Sequence, residues 1–431
     1  MLTRPRRQVA ATLALALLTI APTAYVAHSA YRVRQPSHLR DVEAEIGRRL
    51  GVLVRVDHAS HPRPDVDVFR GVSLRLDHAG HAEFARADIL RVTRENTETT
   101  LRIDRLHLRG DGAEDALEQV ISMMRRLATS DAERIGLVAE ECTLETATGT
   151  ETIHELAAIL QIDRATPTLN ASYLILDPGR RSRTRCELVV RRQTVAGASV
   201  TTVNVKTMDG RVPAQVLVPF FDVNSWLGAS ASLEGSLTLT RRDRQGWEAS
   251  FQGELSDADL ASVVGRRFAG HRLSGLARIA IDSCRWAQRP VEQGPGWVEA
   301  KGTLTAGPGS ISVGLLRALE SRMRFRLPAS FEEKRSDIDF QALGLRFAMN
   351  ADGELSLAGG LGGEFAPDAV LVQGLRALPL ARAPEGTANV RGLLNTLLPS
   401  TPEALAPAVP EAHALQWLPL PPHRPGSVSA N

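Results

Sequence analysis

The stretch DVDVFRGVSLRL (residues 65–76) sets Val66 and Val68, then Val72, Leu74 and Leu76, at alternate positions between charged or small residues. Successive side chains of an extended strand point to opposite faces, so the pattern predicts strands with one apolar face. Val52, Val54 and Val56 repeat it just upstream. Working outward, AEFARADILRVTRE (82–95) and TLRIDRLHLRG (100–110) alternate in the same way and are joined by polar turns, as in an antiparallel meander. IGLVAEECTLET (135–146), TPTLNASYLILD (166–177), RTRCELVVRR (183–192) and SVTTVNVKT (199–207) continue it. TIHELAAILQID (152–163) is compatible with either helix or strand.

Helical spacing is confined to a few places. Leu39, Val42, Ile46, Leu50 and Leu53 recur at three- and four-residue steps, and Leu117, Val120, Ile121, Met124 and Leu127 share one face of a helix expected from Asp115 to Ala128. The middle of the chain repeats itself. Leu233 to Leu239 is followed by Trp247, Gly253, Leu255 and a helical run opening at Ser256, while Leu273 to Ile279 is followed by Trp297, Gly302, Leu304 and the helical SVGLLRALESRM (312–323). Such self-similarity reads as an array of stacked units, and two ordinary hairpin-helix units are the alternative. A further strand pair is expected in residues 337–361. From about Arg376 prolines recur, so the chain is expected to leave the sheet, with Leu415, Trp417, Leu418 and Leu420 near its end.

The N-terminus points to a compartment. Between Val9 and Ala30 the chain carries no formal charge, and 22 residues form ~33 Å of helix, enough to span a bilayer. Arg4, Arg6 and Arg7 precede this run, so the bulk of the chain would be exported. A cleaved signal peptide is the alternative reading, but cuts after Ala24, Ala27 or Ala30 put Pro22, Tyr25 or His28 where a small residue is needed. The expected organisation is an anchor over 1–31, a helix and meander over 32–114, a helix and middle β region over 115–230, two hairpin-helix units over 231–325, a β segment over 326–375 and a tail over 376–431.

Composition and motifs exclude several functions. With 51 basic and 49 acidic residues interspersed, a net charge of +2 gives no basic stripe for a nucleic-acid partner. Forty-eight of the basic residues are arginine, the usage of a GC-rich bacterial genome. Cys142, Cys186 and Cys284 have no zinc spacing. His58, His61, His78 and His81 form two H-x-x-H pairs, read as solvated turn residues rather than a metal site because positions three apart on a strand face opposite ways. Nucleophile-elbow, phosphate-loop and dinucleotide motifs are missing, and after His154-Glu155 an alanine, Ala158, stands where a zincin needs its second histidine. Trp247 and Trp297, in equivalent places of the repeat, are expected to pack in the core. No catalytic residue, cofactor or metal is expected, and an exported hydrolase is a distant alternative.

Taken together, the anchor, the juxtamembrane LRDVEAEIGRRLGVLVRVDH, and VFRGVSLRLDHAGHAEFARADILRV resemble the start of AsmA-like envelope proteins, the group that includes TamB-type proteins. The family's G-V-x-L-x-L strand is matched by Gly71, Val72, Leu74 and Leu76, and its A-x-x-I-x-V strand by Ala87, Leu90 and Val92. The resemblance covers residues 9–110 and extends to 230–365. It implies a mainly β protein with a few helices, in which a transmembrane helix precedes an elongated, curled, repeat-built antiparallel sheet with an apolar groove. Val72, Leu74, Leu76, Leu90, Val92, Leu101 and Ile103 would face lipid in that groove. The implied role is lipid handling or outer-membrane maintenance from the bacterial inner membrane, the bulk of the chain being periplasmic and its partners the membrane, phospholipid and envelope proteins. Roughly 14 strands at ~4.8 Å would make a sheet of ~65 Å. The alternative is an adaptor whose helices close the sheet and which binds a protein partner.

Overall fold

The structure, a computed structural model, describes residue 31 and residues 36–75, 83–95, 98–110, 134–146, 149–163, 166–177, 182–195, 197–214, 227–242, 246–265, 271–287, 297–328, 336–363, 365–374, 378–389, 392–393 and 396. These residues are mainly β. Helix α1 (Pro36–Leu50) leads into β1 (Leu53–Arg55), β2 (His58–Arg63), β3 (Val66–Arg75), β4 (Glu83–Glu95) and β5 (Glu98–Gly110). The middle of the chain forms β6 (Arg134–Thr146), β7 (Gly149–Asp163), β8 (Thr166–Asp177), β9 (Ser182–Val195), β10 (Ala198–Thr207) and β11 (Val212–Pro213). The repeat region supplies β12 (Ser232–Arg242), β13 (Trp247–Asp259), a π-helical turn (Ala261–Gly265), β14 (Leu276–Ala287), β15 (Trp297–Ala306), β16 (Gly309–Ser312) and helix α2 (Val313–Met323). Beyond it lie β17 (Asp337–Phe340), β18 (Ala342–Met349), β19 (Glu354–Gly359), β20 (Ala369–Gln373), β21 (Leu378–Arg382) and β22 (Thr387–Asn389).

Among the described residues twenty strands form one sheet, with β16 and β17 as a separate pair. From β3 the hydrogen-bonded order follows the chain through β10, then passes to β12, β13, β14, β15 and β18. β1 and β2 share the outer side of β3, and β19 and β20 share the far side of β18, with β22 and β21 beyond them. Among the described residues the pairing is antiparallel with one exception: β5 and β6 run parallel over Glu98–Gly110. The purely antiparallel meander expected above is thus corrected, because a parallel neighbour requires a crossover rather than a hairpin. The helix expected over Asp115–Ala128, the apolar run Val9–Ala30, Leu76, His78, His81 and the cluster at Leu415 lie outside the described residues. Among the described residues no helix is long and apolar enough to cross a membrane.

Three further expectations are settled or corrected. TIHELAAILQID is strand, within β7. Its alternation is broken at Glu155, whose φ of +50 marks a bulge where the register against β8 shifts between His154 and Ala157. The run at Ser256 is strand rather than helix as far as Asp259, and only a π-helical turn follows. Asp257, at φ +56, sits where the register against β14 shifts between Leu255 and Ala258, so the helix-like spacing belongs to a second bulge. Past Arg376 the chain still contributes β21 and β22. Pro379 is accommodated because β21 pairs along one side with β20, where a missing N–H can face away from the ladder.

The helices cover the two ends of the sheet. On α1, Leu39, Val42 and Ile46 pack against Phe69, Val72, Ala87, Val92, Ile103 and Ala139. The helix stops at Gly51, which takes φ +69 and donates its N–H to the Gly47 carbonyl at 2.7 Å. On α2, Leu315, Leu316 and Met323 are buried with Ile311, Ile338, Phe340, Val370 and Leu371. Ser312 caps α2 by accepting from Leu315 N–H at 3.3 Å. Separate clusters, around Leu160, Val190 and Val203 and around Ile175, Cys186 and Val212, occupy the middle of the sheet.

Candidate functional site

Residues directly opposite in a ladder share a face of the sheet, so the registers can be followed from strand to strand. Val92 stands opposite Leu101, and the row continues through Leu137, Ala158, Ala171 and Leu188 to Val205. From Val205 it passes to Leu237, Phe251, Cys284, Ala300, Met349, Leu355 and Ala388. Every residue of this row is apolar, over fourteen strands and roughly 60 Å. A second row runs beside it from Ile135 through Leu160, Leu169, Val190, Val203, Leu239, Ala249 and Trp286 to Val298. The row behind is mostly polar: Arg91 and Arg102 lead through Val138 and Ala157 to Ser172, Glu187, Lys206, Ser236 and Gln252.

A shared offset keeps the apolar side chains of β3 to β7 on one face. Their spacing is three instead of two at Phe69/Val72, Ala87/Leu90, Ile103/Leu106, Ala139/Cys142 and Ile153/Leu156, and nearly all of these residues join one cluster or pack against it. Between each pair lie two residues that interrupt the alternation, among them Arg70-Gly71, Asp104-Arg105 and Glu140-Glu141. At the first of these Gly71 takes φ +62, and a Cβ there would meet the Asp57 carboxylate. Only glycine suits both demands.

All of the expected groove residues that are described, Val72, Leu74, Leu90, Val92, Leu101 and Ile103, are brought together in the cluster beneath α1. Val72, Val92 and Ile103 are buried, and Leu74, Leu90 and Leu101 are half-buried. Farther along, Leu137, Leu188, Val205, Leu237, Phe251 and Met349 are half-buried too, whereas Arg91, Arg102, Glu187, Lys206 and Gln252 on the other face are exposed.

The histidines depart from expectation. His58 and His61 belong to β2 rather than to a turn. Nδ1 of His61 donates to Asp67 Oδ1 at 2.5 Å, and its Nε2 meets His38 Nε2 of α1 at 3.0 Å, the rings meeting edge to face. Arg94 completes the group with Nη1 2.5 Å from Asp67 Oδ2. Asp67 faces Val92, so this group closes the first end of the long apolar row. Its members come from four elements and lie as much as 56 positions apart, which is why local spacing carried no sign of it. Among the described residues no group of three or more His, Cys, Asp or Glu side chains could hold a metal ion.

The tryptophans are also corrected. Trp247 and Trp297 are half-buried and outside the core clusters, each with an arginine over its ring: Arg241 at 5.4 Å and Arg285 at 5.6 Å from the ring centroids. They lie on opposite faces. Trp247 is two residues from Ala249 on the apolar face, while Trp297 stands opposite Ala287, a neighbour of the inward Trp286. All three cysteines are free, and all lie on the apolar face, where burial pushes each thiol above its ordinary range.

The fold and its site thus define a mainly β protein built on one long, mostly antiparallel sheet with a continuous apolar face. No family model, curated protein or solved structure matches the chain.

Proposed function

We propose that this chain is a non-enzymatic envelope protein of AsmA-like kind, anchored in the bacterial inner membrane by its N-terminal apolar run and holding lipid acyl chains on the apolar face of a curled, groove-forming sheet. The observation that carries this reading is the unbroken apolar row from Val92 to Ala388. A soluble sheet needs only enough apolar surface to seat its own helices. Here the row continues far beyond the residues that α1 contacts, and its middle members other than Ala171 stay half-buried. Acyl chains moving along such a face are shielded from water by about 0.8 kcal/mol per buried CH2, with head groups left in solvent. No bond is made or broken. The role in the cell would be lipid handling or outer-membrane maintenance, with phospholipid and other envelope proteins as partners.

The packing of α1 and α2 on the two ends of the face favours the second reading, an adaptor whose sheet is closed by its own elements. The test is native mass spectrometry with lipid extraction on the full chain purified from a membrane-containing host. Co-purified phospholipid in the parent protein, lost in Val205→Asn/Leu237→Asn while circular dichroism is unchanged, is the expected result. A folded, lipid-free parent protein would favour the adaptor.

A further inference from the structure

Helix α1 lies on the first end of the apolar face through Leu39, Val42 and Ile46, each only half-buried, yet Phe69, Val72, Val92 and Ile103 beneath it are all buried. Its seat is shallow. Polar contacts add to it: Glu43 Oε1 accepts the Val56 N–H at 2.8 Å, and Nε2 of His38 meets Nε2 of His61 at 3.0 Å. The 5.2 Å between the ring centroids is close to the greatest separation that such a contact allows. Both nitrogens therefore lie nearly on the line joining the rings, the alignment of an N–H···N hydrogen bond. Because Nδ1 of His61 carries the proton given to Asp67, its Nε2 in the neutral ring is a lone pair, and His38 Nε2 is the donor.

We infer that α1 is an acid-released cover of the apolar face, with the bond between His38 and His61 as its latch and Gly51 as its pivot. A bond between two ring nitrogens needs a lone pair on one of them. The first proton that the pair takes up leaves that lone pair in place; the second removes it, and two imidazolium N–H groups then face each other across 3.0 Å. The surroundings do not absorb the second charge. Asp67, from β3, already shares its carboxylate between His61 and Arg94 of β4. On α1 the Glu43 carboxylate is held by the Val56 N–H and Asp41 is exposed, while His58, Arg63 and Asp65, in β2 and the turn after it, are exposed as well. Solvent protons reach the latch, since the His61 side chain is 27% exposed. Gly51, at φ +69, joins α1 to β1, and a glycine at the end of an element absorbs a change of backbone angle at little cost. The step concerns the helix and the sheet alone, so it stands whether or not the face carries lipid. What it adds is a condition under which the covered end of that face becomes available.

The experiment is hydrogen exchange on the full chain from pH ~7.5 to ~5, the span in which a histidine ordinarily charges, with rates corrected for the intrinsic effect of pH. Exchange in Pro36–Leu50 is expected to rise by about tenfold, the equivalent of about 1.4 kcal/mol of easier opening, while β12 to β15 keep their protection. His38→Gln offers an amide donor at similar reach that does not titrate, so the step in α1 should shrink to less than about twofold. His61→Gln gives the same test from the other ring. Hydroxyl-radical footprinting of Val72, Val92 and Ile103 should rise over the same interval in the parent protein. An α1 whose corrected exchange does not change with pH, a step retained in either variant, or a loosening that extends to β12 to β15 overturns the latch. A step in exchange without a rise in footprinting overturns the uncovering.

Discussion

Asp67 and His61 are joined by a 2.5 Å hydrogen bond across the turn between β2 and β3, in which Nδ1 donates and the carboxylate accepts. Asp67 is 7% exposed and its other oxygen is held by Arg94. A buried carboxylate in an otherwise apolar row is tolerated because both oxygens are paired. Asp67→Ala should therefore lower unfolding stability by about 2 kcal/mol, in the range for hydrogen bonds to charged groups, as read from urea denaturation. A shift under about 0.5 kcal/mol would mean that the group is held by its surroundings rather than holding them. Hydrogen exchange adds a local readout. His38 ties α1 to His61, so His38→Ala should speed exchange in α1 while leaving β12 to β15 unchanged.

Gly71 gives a second test, with two separable terms. Its φ of +62 disfavours any side chain, and the Asp57 carboxylate occupies the space that a Cβ would take. Gly71→Ala should cost more than the ~1–2 kcal/mol of the left-handed backbone alone. In an Asp57→Gly background the same change should cost only that backbone part. Equal costs in the two backgrounds would remove the steric term, and the cycle measures it directly.

The shared offset of β3 to β7 explains which parts of this architecture can be read from sequence. A strand covered on one face must alternate, so β3, β4, β5 and β12 are plain in the apolar pattern. Val72, Leu74, Leu90, Val92, Leu101 and Ile103 can be assigned to one face from that pattern alone. Where a strand carries a bulge, two positions break the alternation together and the local spacing imitates a helix. TIHELAAILQID is ambiguous, and the run at Ser256 reads as helical, for that reason. The parallel pairing of β5 and β6 leaves no local mark, since it depends on how the chain returns and not on either strand. The His38, His61, Asp67 and Arg94 group depends on contacts between α1, β2, β3 and β4, and pairwise spacing within β2 cannot show it.

The buried thiols predict an alkaline limit to stability. Burial pushes Cys142 up to about 11 and, with a smaller contribution from Asp209, pushes Cys186 up to about 12, against an ordinary value of 9.0. Burial, then Cys186, raises Tyr173 in the same direction. The folded state thus keeps protons that the unfolded state releases above pH 9. The contribution to stability is full below pH 9 and is lost as pH rises toward 11 and 12. Urea midpoints should fall over that interval, and the fall should be shallower in Cys142→Ala/Cys186→Ala, once the smaller neutral-pH stability of the variant is subtracted. Parallel slopes in the two proteins would assign the alkaline loss to other groups.

Glu155 tests the offset itself. It holds φ +50, and the residues flanking the kink, Ile153 and Leu156, stand opposite Cys142 and Ala139 on the same apolar face. A left-handed backbone costs a non-glycine residue ~1–2 kcal/mol, while glycine brings back part of that cost through the freedom it adds to the unfolded chain. Glu155→Gly should therefore raise stability by about 0.5–1 kcal/mol. Deleting Glu155 acts in the other direction. It restores strict alternation in β7, and a one-residue slip moves every side chain beyond it to the other face. Ile153 would then leave Ile175 and Tyr173 for solvent, against a β6 that still carries its own offset at Glu140-Glu141. The expected loss is about 3 kcal/mol or more, comparable to removing a large side chain from a core. A deletion variant with an unchanged urea midpoint would show that β7 can shift independently of its neighbours, and that the offset is not what holds the apolar face together.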